Sequence, residues 1–225
     1  MALILHIDTS MQIASIALSS DEKLLRVVKN ENMKDHAAWI HHAIESILKE
    51  CDKKLSDLKA IAVVEGPGSY TGLRVGMATA KGLCFSLGIP LITESSLRLM
   101  AFASISKNAI SDSNTLLVPM IDARRMEVFT AIYDFNLNEI SAPSAVILEP
   151  SSFGELAKTH KLILFGNGSS KFREIAAKPF DFIDSSHDAS DLAPLAFQKF
   201  KDEQFADLAY SEPAYLKEFY THTKK

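Results

Sequence analysis

The run Glu65-Gly66-Pro67-Gly68-Ser69-Tyr70-Thr71-Gly72-Leu73-Arg74-Val75-Gly76 limits what this chain can fold into more than any other stretch. Before it stands a compact aliphatic segment, residues 60–65, that reads as a strand. After it comes a helical pattern over 69–87, closed by Gly88 and Pro90. Strand, glycine turn and long helix in that order belong to an α/β protein. The flanks agree. Residues 3–9, 13–18 and 24–29 read as three consecutive strands, with Ser19-Ser20-Asp21 turning between the last two. A helix is expected over 35–51, where Ile40, Ile44, Ile47, Leu48 and Cys51 recur on one stripe.

The rest of the chain repeats the theme. A short strand over 91–93 and a helix over 96–106 lead to a polar connector at 108–114. Strands are expected at 116–122 and 128–135, with Ala123-Arg124-Arg125-Met126 turning between them. Further strands over 146–148 and 162–165 flank a helix near 153–158, and a last helix covers 191–202. Three strands followed by alternating helices and strands, roughly twice, imply two similar lobes. The expected division is 1–106, 107–210 and a polar, aromatic tail over 211–225.

With 24 basic and 28 acidic side chains the net charge is −4. A chain that grips RNA alone usually carries a basic excess. Lys53-Lys54 and Lys224-Lys225 are too few to supply one. No apolar run of about 18 residues suggests a membrane span. The start, Met1 to Asp8, reads as a strand rather than a leader. Cys51 and Cys84 lie in apolar helical patterns and read as small buried hydrophobes. Together these features predict a cytoplasmic protein.

Candidate chemistry is sparse. Gly66, Pro67, Gly68 and Ser69, beside a helix N-terminus, offer backbone N–H groups to an anion, or else form a tight turn that needs glycine. The run is neither a P-loop nor G-x-G-x-x-G. Asp8 ends the first strand, where α/β proteins bind ligands, or caps the turn through Thr9 and Ser10. Gly72, Gly76 and Ala80 fall four apart and form a bare ridge. Such a ridge calls for close backbone approach, from the 35–51 helix or from another protein. Trp39, the only tryptophan, caps the core or anchors an interface. The seven histidines contain no H-x-x-x-H pair, so no metal site is expected, and nothing assembles an acid, a base and a nucleophile.

The order Ile7-Asp8-Thr9-Ser10, Gly66 to Gly76, Ile121-Asp122-Ala123-Arg124-Arg125 and Pro213-Ala214-Tyr215-Leu216 resembles the TsaB (YeaZ) family along almost the whole chain. That resemblance implies an actin/hexokinase-like (ASKHA) fold of two lobes, each a mixed sheet flanked by helices. It also implies a subunit with no catalysis of its own, related to the transferase TsaD but degenerate. Such a subunit would assist transfer of threonylcarbamoyl from threonylcarbamoyl-adenylate to adenosine beside the tRNA anticodon. The implied partners are a TsaD-like catalytic subunit and a TsaE-like ATPase, with tRNA held mainly by the complex and self-pairing expected in their absence. The chain by itself would hold no cofactor, while ATP or ADP would sit at the interface with the catalytic subunit. The pairing surface implied is the first two helices, through His36, Trp39, Ile40, Ala43, Tyr70, Leu73, Gly76, Met77 and Ala80. Where the catalytic relative carries two metal-binding histidines, this chain has Ser96 and Met100, which also disfavours a metalloprotease. The sequence departs from many relatives at His36-Ala37-Ala38-Trp39, where they have His-Ser. The competing reading is a small-molecule kinase or phosphatase of the same superfamily, motivated by Asp8 and the glycine turn.

Overall fold

The computed structural model describes residues 1–30, 35–108, 110 and 112–217. The strand β1 (Leu3–Asp8) is buried on both faces. Leu3, Leu5 and Ile7 point one way, Ile4 and His6 the other, as a period of two requires. β1 pairs antiparallel with β2 (Ser15–Ser20), which pairs antiparallel with β3 (Lys23–Lys29). On its other side β1 runs parallel to β4 (Leu58–Gly66), and β4 to β5 (Leu91–Ser95). The parallel pairs need crossovers, which α1 (His36–Glu50) and α2 (Tyr70–Leu87) supply between β3 and β5. Both helices pack on one face, where Ile40, Ile44, Ile47, Met77 and Ala80 meet Leu5, Ile7, Ile61 and Val63.

The second sheet repeats the first. β6 (Thr115–Asp122), β7 (Glu127–Tyr133) and β8 (Glu139–Ile147) form an antiparallel meander, and β9 (Lys161–Phe165) and β10 (Asp181–Phe182) extend it in parallel. The spatial orders β3-β2-β1-β4-β5 and β8-β7-β6-β9-β10 are the same topology twice. Two five-stranded mixed sheets of one topology, flanked by helices, make the two-lobed actin/hexokinase-like fold that the resemblance implied. Between the lobes lies α3 (Ser96–Asn108). Leu99 faces the first sheet, while Leu97, Met100 and Ala101 face Leu117, Ile121 and Phe165 of the second. α4 (Ser169–Ile175) covers the far face of the second sheet through Phe172.

Several expectations change. The second lobe does not run unbroken to 210, because α5 (Leu192–Lys201) returns to the first sheet. There Leu192, Leu195 and Ala196 cover Ile4, Ala60, Ala62 and Val64. Ala206 then pairs with Leu91. The strand expected at 146–148 is β8, nine residues long and starting at Glu139. Being an exposed edge strand, it carries no apolar run, and pairing with β7 specifies it instead. The helix near 153–158 shrinks to a single 3-10 turn, Leu156–Lys158, since Phe153 adopts a left-handed backbone (φ 61). α4 and β10 had no clear sequence signal: α4 has seven residues and β10 two. The terminal lysines and His222 lie outside the described residues. Cys84 is buried and Cys51 half-buried, both free thiols, and burial pushes Cys84 up to about 11.

Candidate functional site

Two regions hold the residues that the sequence singles out, the C-terminal ends of β1 and β4 and the paired helices α1 and α2. At the strand ends the chain closes on itself. Asp8 is 2 % exposed, and its Oδ1 accepts hydrogen bonds from the Ser10 backbone N (2.9 Å) and Ser10 Oγ (2.6 Å). Its Oδ2 lies 3.4 Å from Nε2 of His187. Burial alone would raise the Asp8 pKa, but His187 and the two Ser10 donors outweigh it and hold the carboxyl below its ordinary range. Asp8 therefore does what the milder reading anticipated and caps the Thr9-Ser10 turn.

His187, which looks isolated in sequence, reaches Asp8 because its segment is pinned beside the first sheet. Ala189 N donates to Ser15 Oγ (2.9 Å), and Asp188 pairs with Lys29 (2.7 Å). Only the return of the chain from β10 to α5 brings His187 there, so no local signal reveals it.

The glycine turn packs against the same strand end. Ser69 N donates to the Ser10 carbonyl (2.7 Å), and Ser69 Oγ caps α2 by accepting from Gly72 N (3.3 Å). A Cβ on Gly68 would overlap the Ser10 carbonyl oxygen. Ser96 Oγ donates to the Pro67 carbonyl, and Ala214 N donates to the Glu65 carbonyl (2.8 Å). Gly66, at φ 120, needs the freedom of glycine. The N–H groups of Ser69 and Gly72 are thus already used, and the turn packs closely on the end of β1.

The ridge of small residues has the same explanation. A Cβ on Gly72 would overlap the Thr9 carbonyl oxygen, and one on Gly76 the Thr9 hydroxyl oxygen, which donates to the Gly72 carbonyl (2.7 Å). The close neighbour of both glycines is the end of β1, while Ala80 packs in one cluster with Ile40 and Ile44 of α1. This corrects the expected pairing surface. Ile40, Ala43, Leu73, Gly76, Met77 and Ala80 are all buried in the chain's own core. His36 and Trp39 are half-buried, Trp39 against that core, and Tyr70 alone of the nine is exposed. The outward face of α2 instead carries Tyr70, Arg74, Ala78, Gly82 and Phe85, with Phe85 82 % exposed. Nothing lies within 4 Å of a Cβ on Gly82.

The tail crosses this face. Lys81 Nζ donates to the Ala209 (3.1 Å) and Ser211 (2.8 Å) carbonyls, and Arg74 Nε donates to Tyr215 Oη (2.9 Å). Arg74 also stacks over Tyr70, 4.2 Å from its ring centroid, and the Tyr70 and Tyr215 rings lie 5.5 Å apart.

At the start of α3, Ser96 and Met100 are buried, and a Cβ on Gly166 would meet the Met100 methyl at 2.5 Å. A thioether packed this tightly fills space. Among the described residues no three His, Cys, Asp or Glu side chains gather as metal ligands, and no helix is long and apolar enough to cross a membrane.

A family model described as TsaD, tRNA N6-adenosine threonylcarbamoyltransferase, matches residues 21–224. The tRNA threonylcarbamoyladenosine biosynthesis protein TsaB of Bacillus subtilis is 31% identical over 95% of this chain and 93% of its own length. The Escherichia coli protein of the same name is 28% identical over 95% of this chain and 94% of its own. The solved structure of YeaZ from Pseudomonas aeruginosa superposes with a TM-score of 0.82 over 96% of this chain and all of its own, at 24% identity.

Proposed function

We infer the function from one premise: this chain belongs to the TsaB (YeaZ) family of tRNA threonylcarbamoyladenosine biosynthesis proteins. It takes part in making that nucleoside as a scaffold without catalysis of its own. A TsaD-like subunit carries the chemistry, a TsaE-like ATPase joins the pair, and tRNA is held chiefly by the complex in the cytoplasm. ATP or ADP belongs to the joint between subunits, and this chain alone holds none.

The observation that carries the scaffold reading is the closure of the strand-end site. A kinase or phosphatase of this fold needs a carboxylate free for magnesium and a turn free for phosphate. Here both oxygens of Asp8 face groups of the chain itself, and the glycine turn is packed under Ser10, Ser96 and Ala214. Calorimetry of the isolated chain with magnesium and ATP should therefore show no tight one-to-one binding. Tight binding would restore the kinase reading.

Pairing belongs to the outward face of α2. Residues 70, 74, 78, 82 and 85 share one side of the helix, and Ala78 with Gly82 forms a low saddle beside Phe85. A large exposed aromatic next to a saddle that admits a backbone suits a protein interface. Replacement Phe85→Asp or Ala78→Arg should abolish co-elution with the catalytic subunit in size-exclusion chromatography. Neither should lower the melting temperature of the isolated chain, because both side chains face solvent. Normal co-elution of both variants would place the interface elsewhere. The same face accounts for self-pairing when the partner is missing.

A further inference from the structure

We propose that the turn between β6 and β7 is a phosphate-binding site through which this chain touches the backbone of RNA, using Arg124 and Arg125. Three observations converge on that turn.

The first is conformational. Arg124 and Arg125 hold left-handed backbones at φ 69 and 49, the only consecutive pair of non-glycine residues to do so among the described residues. The left-handed region is unfavourable for an ordinary side chain. The surrounding structure is built to hold it. Asp122 Oδ1 accepts from Arg124 N (2.6 Å), and Asp122 N donates to Asn167 Oδ1 (2.9 Å). The ammonium of Lys171, mostly buried, donates to Asp122 Oδ1 (2.6 Å) and to the carbonyls of Arg125 (2.8 Å) and Glu127 (2.9 Å). One cation therefore ties the turn to α4, and the two arginines are presented from a rigid base.

The second is charge. Asp122 is paired with Lys171 and Glu127 with Lys217, so both acids of the turn are neutralised locally. Neither guanidinium has a hydrogen bond or ion pair among the described residues, although the charge of Arg124 reaches Asp122. Two positive charges are left over in a chain whose net charge is −4.

The third is shape. A guanidinium offers a planar fork of donors that matches the oxygens of a phosphate. A small ligand held tightly is mostly enclosed, whereas Arg124, Arg125 and Met126 are all exposed. A free nucleotide would find no walls here. The phosphates of a long polyanion need none, since their affinity comes from charge and counterion release. The proposal rests on the reading that this chain acts within a tRNA-modifying complex.

The test uses the complex of this chain with its catalytic partner. Fluorescence anisotropy with labelled tRNA is followed across a potassium chloride series, for the wild type and for Arg124→Ala/Arg125→Ala. The double variant should bind about tenfold or more weakly, and its log–log salt slope should be shallower by about 1.5, the value for two lost phosphate contacts. Arg124→Gly/Arg125→Gly removes the same charges while relaxing the backbone, so it should behave alike with no loss of fold. Unchanged affinity and slope in both variants, with co-elution intact, would overturn the proposal and leave the scaffold reading untouched. If instead the wild-type chains failed to pair, the scaffold reading itself would fall. Displacement of tRNA from the wild type by equimolar ATP, absent in the double variants, would assign the turn to free nucleotide and overturn the RNA assignment.

Discussion

Thr9 decides what α2 can carry. Gly72 and Gly76 press on its carbonyl and hydroxyl, whereas Gly82, in the same helix, faces open space. Gly72→Ala should therefore cost about 3 kcal/mol or prevent folding, since a buried backbone oxygen cannot yield. Gly82→Ala should raise stability by about 0.5–1 kcal/mol, the usual gain from replacing an exposed helical glycine. Thermal melts of the isolated chain read both, and equal effects would refute the packing account. It follows that a bulky residue at Gly76 reports on folding and says nothing about pairing. His6 gives a second handle. It is fully buried in β1 with Nε2 2.8 Å from Ser19 Oγ and no partner for Nδ1 among the described residues, and burial lowers it from 6.5 to about 3. Its folded pKa lies below its unfolded one, so its contribution is complete above pH 6.5. Between 6.5 and about 3 the unfolded chain binds one proton more, and stability declines by about 1.4 kcal/mol per pH unit. In His6→Gln that part of the acid slope should vanish, whatever its absolute stability. An unchanged slope in denaturant titrations at several pH values would show that His6 titrates normally.

Helices and strands with their own periodic signal were legible; those specified by a neighbour were not. The stripe Ile40, Ile44, Ile47, Leu48 gave α1 nearly to the residue, and the aliphatic blocks gave β1, β4 and β6. β8 escaped because an exposed edge strand is defined by its pairing with β7. The small-residue spacing in α2 correctly demanded a close neighbour, but spacing within a helix does not say which element approaches. The tail shows the same limit. Without periodicity of its own, it is placed by Lys81, Arg74 and the Glu65 carbonyl. Replacing Arg74 with alanine removes the Tyr215 hydrogen bond and the stacking on Tyr70. Amide hydrogen exchange over 207–217 should then quicken while α2 itself stays protected. Unaltered exchange there would mean that the strap is held without the arginine.

The molecule as a whole repeats one five-strand plan, with α3 wedged between the copies and α5 returned to the first. That return makes the lobes interdependent and carries His187 to Asp8, a contact invisible to any local reading of the sequence. The pathway was legible only through the family motifs, since charge and composition point away from a self-sufficient RNA enzyme. At the strand ends, Asp8 is engaged by the chain's own Ser10 and His187. The role proposed for the chain is therefore that of a scaffold acting through its partners. Reconstituted modification tests it most directly. Unmodified tRNA is incubated with a threonylcarbamoyl-adenylate source and either this chain alone, the other subunits alone, or all together, and the nucleosides are weighed by mass spectrometry. Threonylcarbamoyladenosine should appear only in the complete mixture. Its formation by this chain alone, or at full rate without it, would contradict the account.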